Sequence, residues 1–346
     1  MPLPGKMRRL EIIILLLIAL LVIGAVHLYV TFYTPLSRDG IIKTITIPRG
    51  TSFRVVAEDL ERSGVVRDSE SLILAASVLG AYKKVKAGEY EFSSSMTPVE
   101  ILEALVKGRV KRHLLTIPEG YNLREIASAL GDEGVLDSGV FLARATDKRF
   151  AASVGIAGAT FEGYLFPDTY ELTKGMTADE IIRKMSARFK EVYSEEFEKA
   201  AKAKGMSMAR VITLASIIEK ETGAPQERPL ISAVFHNRLK KGMKLQSDPT
   251  VVYGIKDFNG NITKKDLVAR TPYNTYANFG LPQGPIANPG RDSIRAAINP
   301  ASKGYLYFVS RNDGTHVFST NLIEHNKAVY QFQKMGRPAS LSGKNG

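Results

Sequence analysis

The sequence predicts an α+β protein with one N-terminal transmembrane helix, a small βααβ region and a larger α+β domain. Three observations support this fold class: an apolar run at residues 12–30, a strand-turn-helix pattern that repeats at an offset of 70 residues, and an uncharged helical segment at 211–218. A length of 346 residues with 44% hydrophobic residues allows two or three folded units beside the transmembrane helix.

The apolar run at 12–30 has the length of a helix that crosses a bilayer, and His27 is its one ionisable residue. Basic residues precede the run and aromatic residues mark its far end, as in membrane anchors: Lys6, Arg8 and Arg9, then Tyr29, Phe32 and Tyr33. We therefore expect a cytoplasmic N-terminus at 1–9, a transmembrane helix at 10–33 and an extracytoplasmic remainder. A cleaved signal peptide is the alternative, but the run is long and lacks a clear cleavage site.

The net charge of +12 suits an anionic membrane surface, an acidic polymer or nucleic acid, so charge alone does not identify a partner. The chain has no basic run of five residues and no cysteine, hence no zinc-finger spacing, and we expect no nucleic-acid partner. The absence of cysteine also excludes disulfides, thiol nucleophiles and a lipid-modified cysteine. An anchor in this chain must therefore be peptide.

Residues 46–66 and 116–136 match without gaps, and nine of the 21 positions are identical. Each copy predicts a strand, a turn and an amphipathic helix closed by glycine. A strand that ends in Ile-Pro-x-Gly and leads into a helix resembles the opening of LysM modules, which are small βααβ domains that bind glycan. The alternative is a structural spacer whose repeat reflects duplication only.

The segment between the copies completes the predicted LysM-like domain at 41–110. It supplies a second helix at 69–79, a strand at 88–92 and a further helix at 98–106. The second copy and a connecting segment occupy 111–160. Residues 177–205 predict a packed surface helix, because apolar side chains recur there at helical spacing.

The stretch at 209–222, ARVITLASIIEKET, predicts a helix that is buried on nearly every side until Glu219. Burial disfavours the charged form of a carboxyl group, so a glutamate here could act as a general acid near neutral pH. Glu221 lies about 200° further around the same helix. The pattern alone does not separate the two glutamates, and an exposed or salt-bridged glutamate at a helix end is the plain alternative.

Two irregular stretches, 161–170 and 271–290, combine aromatic residues with proline, glycine and asparagine. Long irregular segments inside a compact domain are typical of functional loops. Aromatic faces and amide side chains together suit the apolar and polar surfaces of a sugar. These stretches therefore predict a carbohydrate-binding cleft.

Several motifs in order along the chain resemble the endolytic murein transglycosylase family, also called YceG-like. They are EGYLFPDTY (162–170), LASIIEKET (214–222), VFHNRL (234–239), LQSDPTVVYG (245–254), TPYNTY (271–276), GLPQGPIANPG (280–290) and GTHVFSTNLIEHN (314–326). The resemblance extends from the N-terminal span to the end of a lytic transglycosylase catalytic domain at 161–335. It implies a bacterial inner-membrane lyase that cleaves the MurNAc-β-1,4-GlcNAc bond of nascent peptidoglycan strands and leaves 1,6-anhydroMurNAc ends.

The resemblance implies that the first glutamate of the Glu-x-Glu pair, Glu219, is catalytic. One glutamate suffices for this chemistry, because it can protonate the leaving oxygen and then accept the proton of the sugar's own 6-hydroxyl. Glu221 and Glu162 are possible supporting residues. The predicted substrate-binding residues are Asn237, which would support Glu219, together with Gln246, Asp248, Tyr253, Asn274 and Tyr276.

Two alternatives remain open on the sequence alone. A muramidase-type hydrolase would pair Glu219 with Asp248 or Glu162, since hydrolysis normally needs two carboxyl groups. A membrane-tethered peptidoglycan-binding scaffold would need no catalytic glutamate.

The expected partners are peptidoglycan glycan strands, the membrane around the helix, and the peptidoglycan synthases or division and elongation machinery. We expect no cofactor and no metal, because His316 and His325 lie nine residues apart with no third ligand. The motif Asn312-Asp313-Gly314 predicts a β-hairpin. Residues 336–346 read as a disordered tail.

Overall fold

The computed structural model describes residues 5–156, 158–256 and 258–334. The chain forms two compact units. The first unit ends at His113 and also includes Glu171–Met176, and the second comprises Leu114–Tyr170 and continues from Thr177. The predicted tail at 336–346 lies outside the described residues.

The first unit consists of an N-terminal helix followed by a compact α+β arrangement. Its elements are α1 (Gly5–Tyr33), β1 (Ile42–Ile47), α2 (Phe53–Arg62), α3 (Ser69–Val78), β2 (Gly88–Ser93) and α4 (Pro98–Lys107). The two strands pair antiparallel, from Ile42 opposite Ser93 to Ile47 opposite Gly88. The predicted βααβ order and the helix after it are confirmed, whereas the LysM identity of this region stays a prediction.

Helix α1 contains one candidate membrane span, Leu10–Tyr33, with a mean hydropathy of 2.9 over its most apolar window and all of that window exposed. Near its C-terminal end, helix α1 is no longer fully exposed. Phe32 is only 8% exposed and belongs to the hydrophobic core of the first unit, together with Tyr90 and Phe92 of β2. The apolar helix is therefore joined to the first unit by packing as well as by the chain.

The second unit is built mainly of helices. The remaining elements of the chain are β3 (His113–Thr116), α5 (Leu123–Asp132), α6 (Ser138–Ala145), α7 (Lys148–Ser153), β4 (Thr169–Leu172), α8 (Ala178–Val192), α9 (Glu195–Ala203), α10 (Met208–Glu221), α11 (Arg228–Lys240), α12 (Asp248–Gly254), α13 (Lys264–Val268), α14 (Arg291–Ile298), β5 (Tyr307–Ser310), β6 (His316–Ser319) and α15 (Leu322–Val329). β3 pairs with β4 and β5 with β6. The predicted α+β class with one N-terminal apolar helix is confirmed.

The two repeat copies fold in the same way in the two units. Helices α2 and α5 bury the same four repeat positions, which are Phe53, Val56, Ala57 and Leu60 in the first copy and Leu123, Ile126, Ala127 and Leu130 in the second. In both copies a glycine with positive φ follows the helix, 68° at Gly64 and 64° at Gly134, where an L side chain would be strained. The second copy lies wholly in the second unit.

Helix α10 forms the centre of the second unit. Its eight residues from Val211 to Ile218 are all buried, and α11, α12 and α14 pack around it. This uncharged segment satisfies its polar backbone within the helix, which is why it can be buried on every side. The predicted amphipathic helix at 177–205 is present as α8 and α9, and the predicted hairpin is present as β5 and β6.

Leu60→Ala and Leu130→Ala test whether the repeat copies hold equivalent cores. Both side chains are at most 1% exposed, so each truncation should lower the free energy of unfolding by about 2–5 kcal/mol through lost packing and a residual cavity. Hydrogen exchange on the full chain should show lost amide protection around α2 in the first variant and around α5 in the second. Val268→Ala, at a side chain 73% exposed, is the control, and equal protection in all three variants would contradict the assignment.

Candidate active site

The end of helix α10 presents two glutamates to different surroundings. Glu219 and Glu221 both follow the buried stretch that ends at Ile218, but they project from different sides of the helix. Their contacts differ accordingly. The structure therefore separates two residues that the sequence pattern could not.

Glu219 forms a buried ion pair with Arg228. Its Oε1 lies 3.0 Å from Nη2 of Arg228, and its Oε2 accepts the backbone N–H of Gly290 at 2.8 Å. The Glu219 side chain is 5% exposed, and Arg228 lies 3.4 Å from Glu119 as well. Both oxygens of Glu219 therefore already have hydrogen-bond partners within the protein.

Glu221 lies beside a cleft of about 290 Å³. The hydroxyl of Ser247 donates a hydrogen bond of 2.5 Å to Oε1 of Glu221. Burial raises the pKa of Glu221 to about 7, the Ser247 hydrogen bond opposes this shift, and the negative charge of Asp248 adds to it. This side chain can therefore hold or release a proton near neutral pH.

The cleft is lined by groups that can bind a polar, partly apolar molecule. Its lining residues are Glu221, Arg238, Leu245, Gln246, Asp248, Tyr276, Phe308 and His325. The hydroxyl of Tyr276 donates to Asp248 at 2.6 Å and so fixes that carboxylate. Gln246 has φ of 52°, a strained backbone conformation for a residue with a Cβ atom and one that is frequent at functional sites.

A second hollow of about 280 Å³ adjoins this cleft through Asp248. It is lined by Asn122, Glu125, Lys220, Asp248, Pro249, Val252, Tyr253 and Ile286. Asn122 and Glu125 belong to the second repeat copy, and Lys220 donates to the carbonyl of Gly120 in that copy at 3.2 Å. Two adjoining hollows that share one carboxylate suit consecutive units of a polymer.

The predicted residues Gln246, Asp248 and Tyr276 come together with Glu221 in the cleft. Tyr253 lines the adjoining hollow and donates from its hydroxyl to Glu162 at 2.8 Å.

Glu162 is only 3% exposed, and its Oε2 also accepts the N–H of Leu123 at 3.2 Å. Burial raises the pKa of Glu162 to about 7, although these hydrogen bonds lower it. Glu162 therefore accepts the hydroxyl of Tyr253 from the protein interior and is too buried to contact a substrate.

Two of the predicted substrate-binding residues, Asn237 and Asn274, hydrogen-bond backbone carbonyls instead of facing the cleft. The amide of Asn237 donates to the carbonyls of Lys303 and Tyr305, each at 2.8 Å, so the expectation that Asn237 supports Glu219 is corrected. Asn274 is 1% exposed, and its amide donates to three carbonyls of the 266–269 segment. These asparagines order irregular loops whose backbone groups lack a helical or strand partner.

Arg238, Phe308 and His325 also line the cleft, although no sequence motif indicates this. Arg238 donates to the carbonyl oxygens of Leu306 at 2.7 Å and Leu245 at 2.8 Å, which fixes its guanidinium. His325 stacks on Tyr307 with 5.0 Å between ring centroids, and within the described chain its Nδ1 is buried with no hydrogen-bond partner. Their motifs, VFHNRL, YLYFV and LIEHN, are visible in the sequence, but nothing in them indicates that they converge.

His316 has a structural contact rather than a place in the cleft. Its Nδ1 lies 2.6 Å from Glu227, and its backbone N–H donates to the same carboxylate at 3.0 Å. Within the part of the chain that the structure describes, no group of three or more His, Asp or Glu residues is arranged to hold a metal ion.

Comparison with known proteins gives one consistent family. The profile of the YceG-like family matches residues 45–331. The protein named endolytic murein transglycosylase from Bacillus subtilis strain 168 is 34% identical over 331 residues, which cover 90% of this chain and 91% of that protein. A protein of the same name from Streptococcus pneumoniae serotype 2 is 32% identical, and the match covers 83% of this chain and 57% of that longer protein.

A solved structure agrees with these relatives. The crystal structure of a YceG-like protein from Listeria monocytogenes superposes with a TM-score of 0.58 at 34% sequence identity. The match covers 83% of this chain and 98% of that one.

The raised pKa values of Glu162 and Glu221 predict a pH-dependent stability. Both are raised to about 7 from 4.5, so the folded chain retains protons that the unfolded chain releases in this interval. The contribution of these two carboxyl groups to the free energy of unfolding should therefore be fully present below pH 4.5 and be lost as the pH rises to about 7. Glu162→Gln and Glu221→Gln should each flatten this fall, measured as Tm of the full chain at several pH values.

The control for this prediction is Glu196→Gln, at an exposed residue of α9, which should keep the pH dependence of the unmodified chain. If both buried-site variants also kept the full dependence, neither carboxyl would be titrating as the structure indicates.

Proposed function

The chain belongs to the YceG-like family, and from this we propose that it is a lytic transglycosylase that cleaves peptidoglycan glycan strands. Relatives that match most of this chain carry the name endolytic murein transglycosylase, which supports a peptidoglycan transglycosylase role. The two hollows that share Asp248 fit a polymeric substrate. The bond cleaved is the β-1,4 link from MurNAc to GlcNAc.

One observation carries the proposed chemistry. Glu221 faces the cleft with a pKa of about 7, so a substantial fraction of its carboxyl is protonated at neutral pH. A glycosidic oxygen needs a proton as its C–O bond breaks, and a carboxyl group poised near the working pH is the efficient donor. These observations support Glu221 as the proposed acid.

The proposed reaction uses this one carboxyl group twice. Glu221 gives its proton to the bridging oxygen as the bond from the anomeric carbon of MurNAc to that oxygen breaks. The C6 hydroxyl oxygen of the same MurNAc then bonds to the anomeric carbon, and its proton passes to the Glu221 carboxylate. Asp248 places negative charge where positive charge develops on the sugar ring. The product is a 1,6-anhydroMurNAc end, with no water consumed.

The sequence resemblance assigns the acid to Glu219, whereas the contacts favour Glu221. Glu219 is ion-paired with Arg228 and accepts the N–H of Gly290, so its two oxygens already have partners. In this proposal Glu219 is a positioning residue that fixes the end of α10 against the backbone at Gly290. Its predicted catalytic role stays a prediction that the variants below decide.

The hydrolase alternative has one observation in its favour. Asp248 is a second carboxylate in the same cleft as Glu221, and it could activate a water molecule. Glu162 is less suited to that role because it is buried and bound to Tyr253. Hydrolysis would leave a reducing end and transglycosylation an anhydro end.

We propose further that α1 anchors the chain in the bacterial inner membrane, with both units outside the cytoplasm. Its span of 24 residues is long enough to cross a bilayer, and a signal sequence is the alternative. The LysM-like region would bind glycan, and the synthesis or division machinery that makes new strands would be the partner. No cofactor takes part in this proposal.

Glu221→Gln should lower the rate of strand cleavage by about 10²–10⁴-fold, because the neutral amide cannot donate a proton. Mass spectrometry of purified peptidoglycan digested by the full chain should detect anhydroMurNAc ends, and these should disappear in the variant. Glu219→Gln, the matched substitution two residues away, should retain the same products at a reduced rate.

Three outcomes would contradict parts of this proposal. Loss of all cleavage in Glu219→Gln with activity kept in Glu221→Gln would return the catalytic role to Glu219. Reducing ends would indicate a hydrolase. No cleavage by the folded, unmodified chain would leave a binding scaffold.

The pH dependence of the reaction supplies a second test. Glu221 must start protonated, so the cleavage rate should fall as the pH rises through about 7. The charge of Asp248 raises the pKa of Glu221, so Asp248→Asn should move this fall to lower pH, whatever it does to the maximum rate. The measurement is the rate of anhydro-end formation against pH. A fall at the same pH in the variant would show that Glu221 is not the titrating group.

A further inference from the structure

Helix α3 of the first unit is apolar on two sides, although only one side faces the core. Leu72, Ala75 and Ala76 are at most 1% exposed and form the inner side. Leu74, Val78 and Leu79 are large aliphatic side chains that are 48%, 66% and 48% exposed. We call these three residues the α3 face. Contiguous exposed apolar groups on a small unit indicate a binding surface.

The α3 face continues from the end of the apolar helix α1. The two helices pack together, and a hollow of about 310 Å³ in the first unit is lined by His27 and Thr31 of α1 and by Ser71 of α3. Leu74 and Val78 follow Ser71 at the three- and seven-residue spacing that keeps side chains on one side of a helix. The side of α3 that borders α1 therefore extends into the exposed apolar surface.

Cationic side chains flank the α3 face. Arg67 precedes α3, and Lys83 and Lys84 follow it; all three are exposed. Among the described residues, none of these three cations has an ion-pair partner. Tyr82, 41% exposed, lies beside the two lysines. Aliphatic groups bordered by tyrosine and lysine are typical of protein surfaces at a lipid headgroup layer.

We propose that the α3 face lies in the lipid surface of the bilayer that α1 crosses, with Arg67, Lys83 and Lys84 on anionic headgroups. This inference rests on the proposed membrane anchor. Continuity with α1 favours lipid over a separate partner, because Phe32 fixes the first unit to the helix at the point where the helix ends. The aliphatic composition also favours lipid over glycan, which binds through aromatic faces and amides. The first unit would thus be held against the bilayer by a second contact.

The chain contains no tryptophan, so one substitution introduces a single fluorescent probe. The full chain would be reconstituted in vesicles of phosphatidylcholine and phosphatidylglycerol, with and without brominated acyl chains that quench tryptophan within the bilayer. Val78→Trp reports the α3 face, Val22→Trp the membrane span and Val140→Trp an exposed site of the second unit. All three positions are at least 52% exposed, so the substitutions should not disturb the cores.

We expect brominated lipid to reduce the emission of Val78→Trp about twofold, less than that of Val22→Trp and well beyond that of Val140→Trp. Replacing phosphatidylglycerol by phosphatidylcholine, or combining Lys83→Gln with Lys84→Gln, should weaken quenching of Val78→Trp and leave Val22→Trp unchanged.

The controls separate failure of this inference from failure of the anchor. If Val22→Trp is quenched while Val78→Trp matches Val140→Trp, the lipid contact of the α3 face is refuted and the anchor stands. If Val22→Trp is not quenched, the anchor and this inference both fail. Shielding of Val78→Trp from iodide only after soluble peptidoglycan fragments are added would refute lipid in favour of glycan.

Discussion

The site depends on one constraint, which is that helix α10 is buried on every side up to the residues that carry its charge. Eight uncharged residues from Val211 to Ile218 fix the helix within α11, α12 and α14. The helix therefore delivers Glu219 and Glu221 to positions where water is scarce and where each must find a protein partner. Glu219 contacts Arg228 and the backbone N–H of Gly290, whereas Glu221 contacts Ser247 and lies near Asp248, and its pKa is raised by burial and by the Asp248 charge.

The repeated strand-turn-helix pattern forms the same local structure in two different surroundings. In both copies the same four positions are buried and the helix stops at a glycine with positive φ. The first copy forms part of the unit that carries the apolar helix. The second copy brings Gly120 against the end of α10, where its carbonyl accepts the side chain of Lys220 and its N–H donates to Asn288. The two copies thus share their buried positions and their glycine, whereas these contacts of Gly120 belong to the second copy.

The irregular segments around the cleft owe their order to side chains that bond to backbone. Asn274 satisfies three carbonyls of the 266–269 segment, and Asn237 satisfies two near residue 304. Arg238 does the same for Leu245 and Leu306 while its guanidinium lines the cleft. Without a strand or helix to pair these groups, each unsatisfied carbonyl would cost free energy, so the polar residues of the loops are first a structural requirement.

The sequence by itself determined the elements whose signal is local: the apolar helix α1, the two repeat copies, the buried helix α10, and the hairpin around Asn312. Each follows from hydrophobic period or turn chemistry within a few residues, which does not depend on distant contacts. The sequence also indicated the family, and with it the motifs that contain Gln246, Asp248 and Tyr276.

Tertiary structure alone decided which polar residue faces the cleft. The side-chain amides of Asn237 and Asn274 have the hydrogen-bonding groups that bind sugars, yet they donate to backbone carbonyls of other segments. Arg238 and His325 are 87 residues apart in the chain, so only folding brings them together. The pKa of a carboxyl group depends on charges and burial from every element packed around it, which is why two glutamates separated by one lysine acquire different environments.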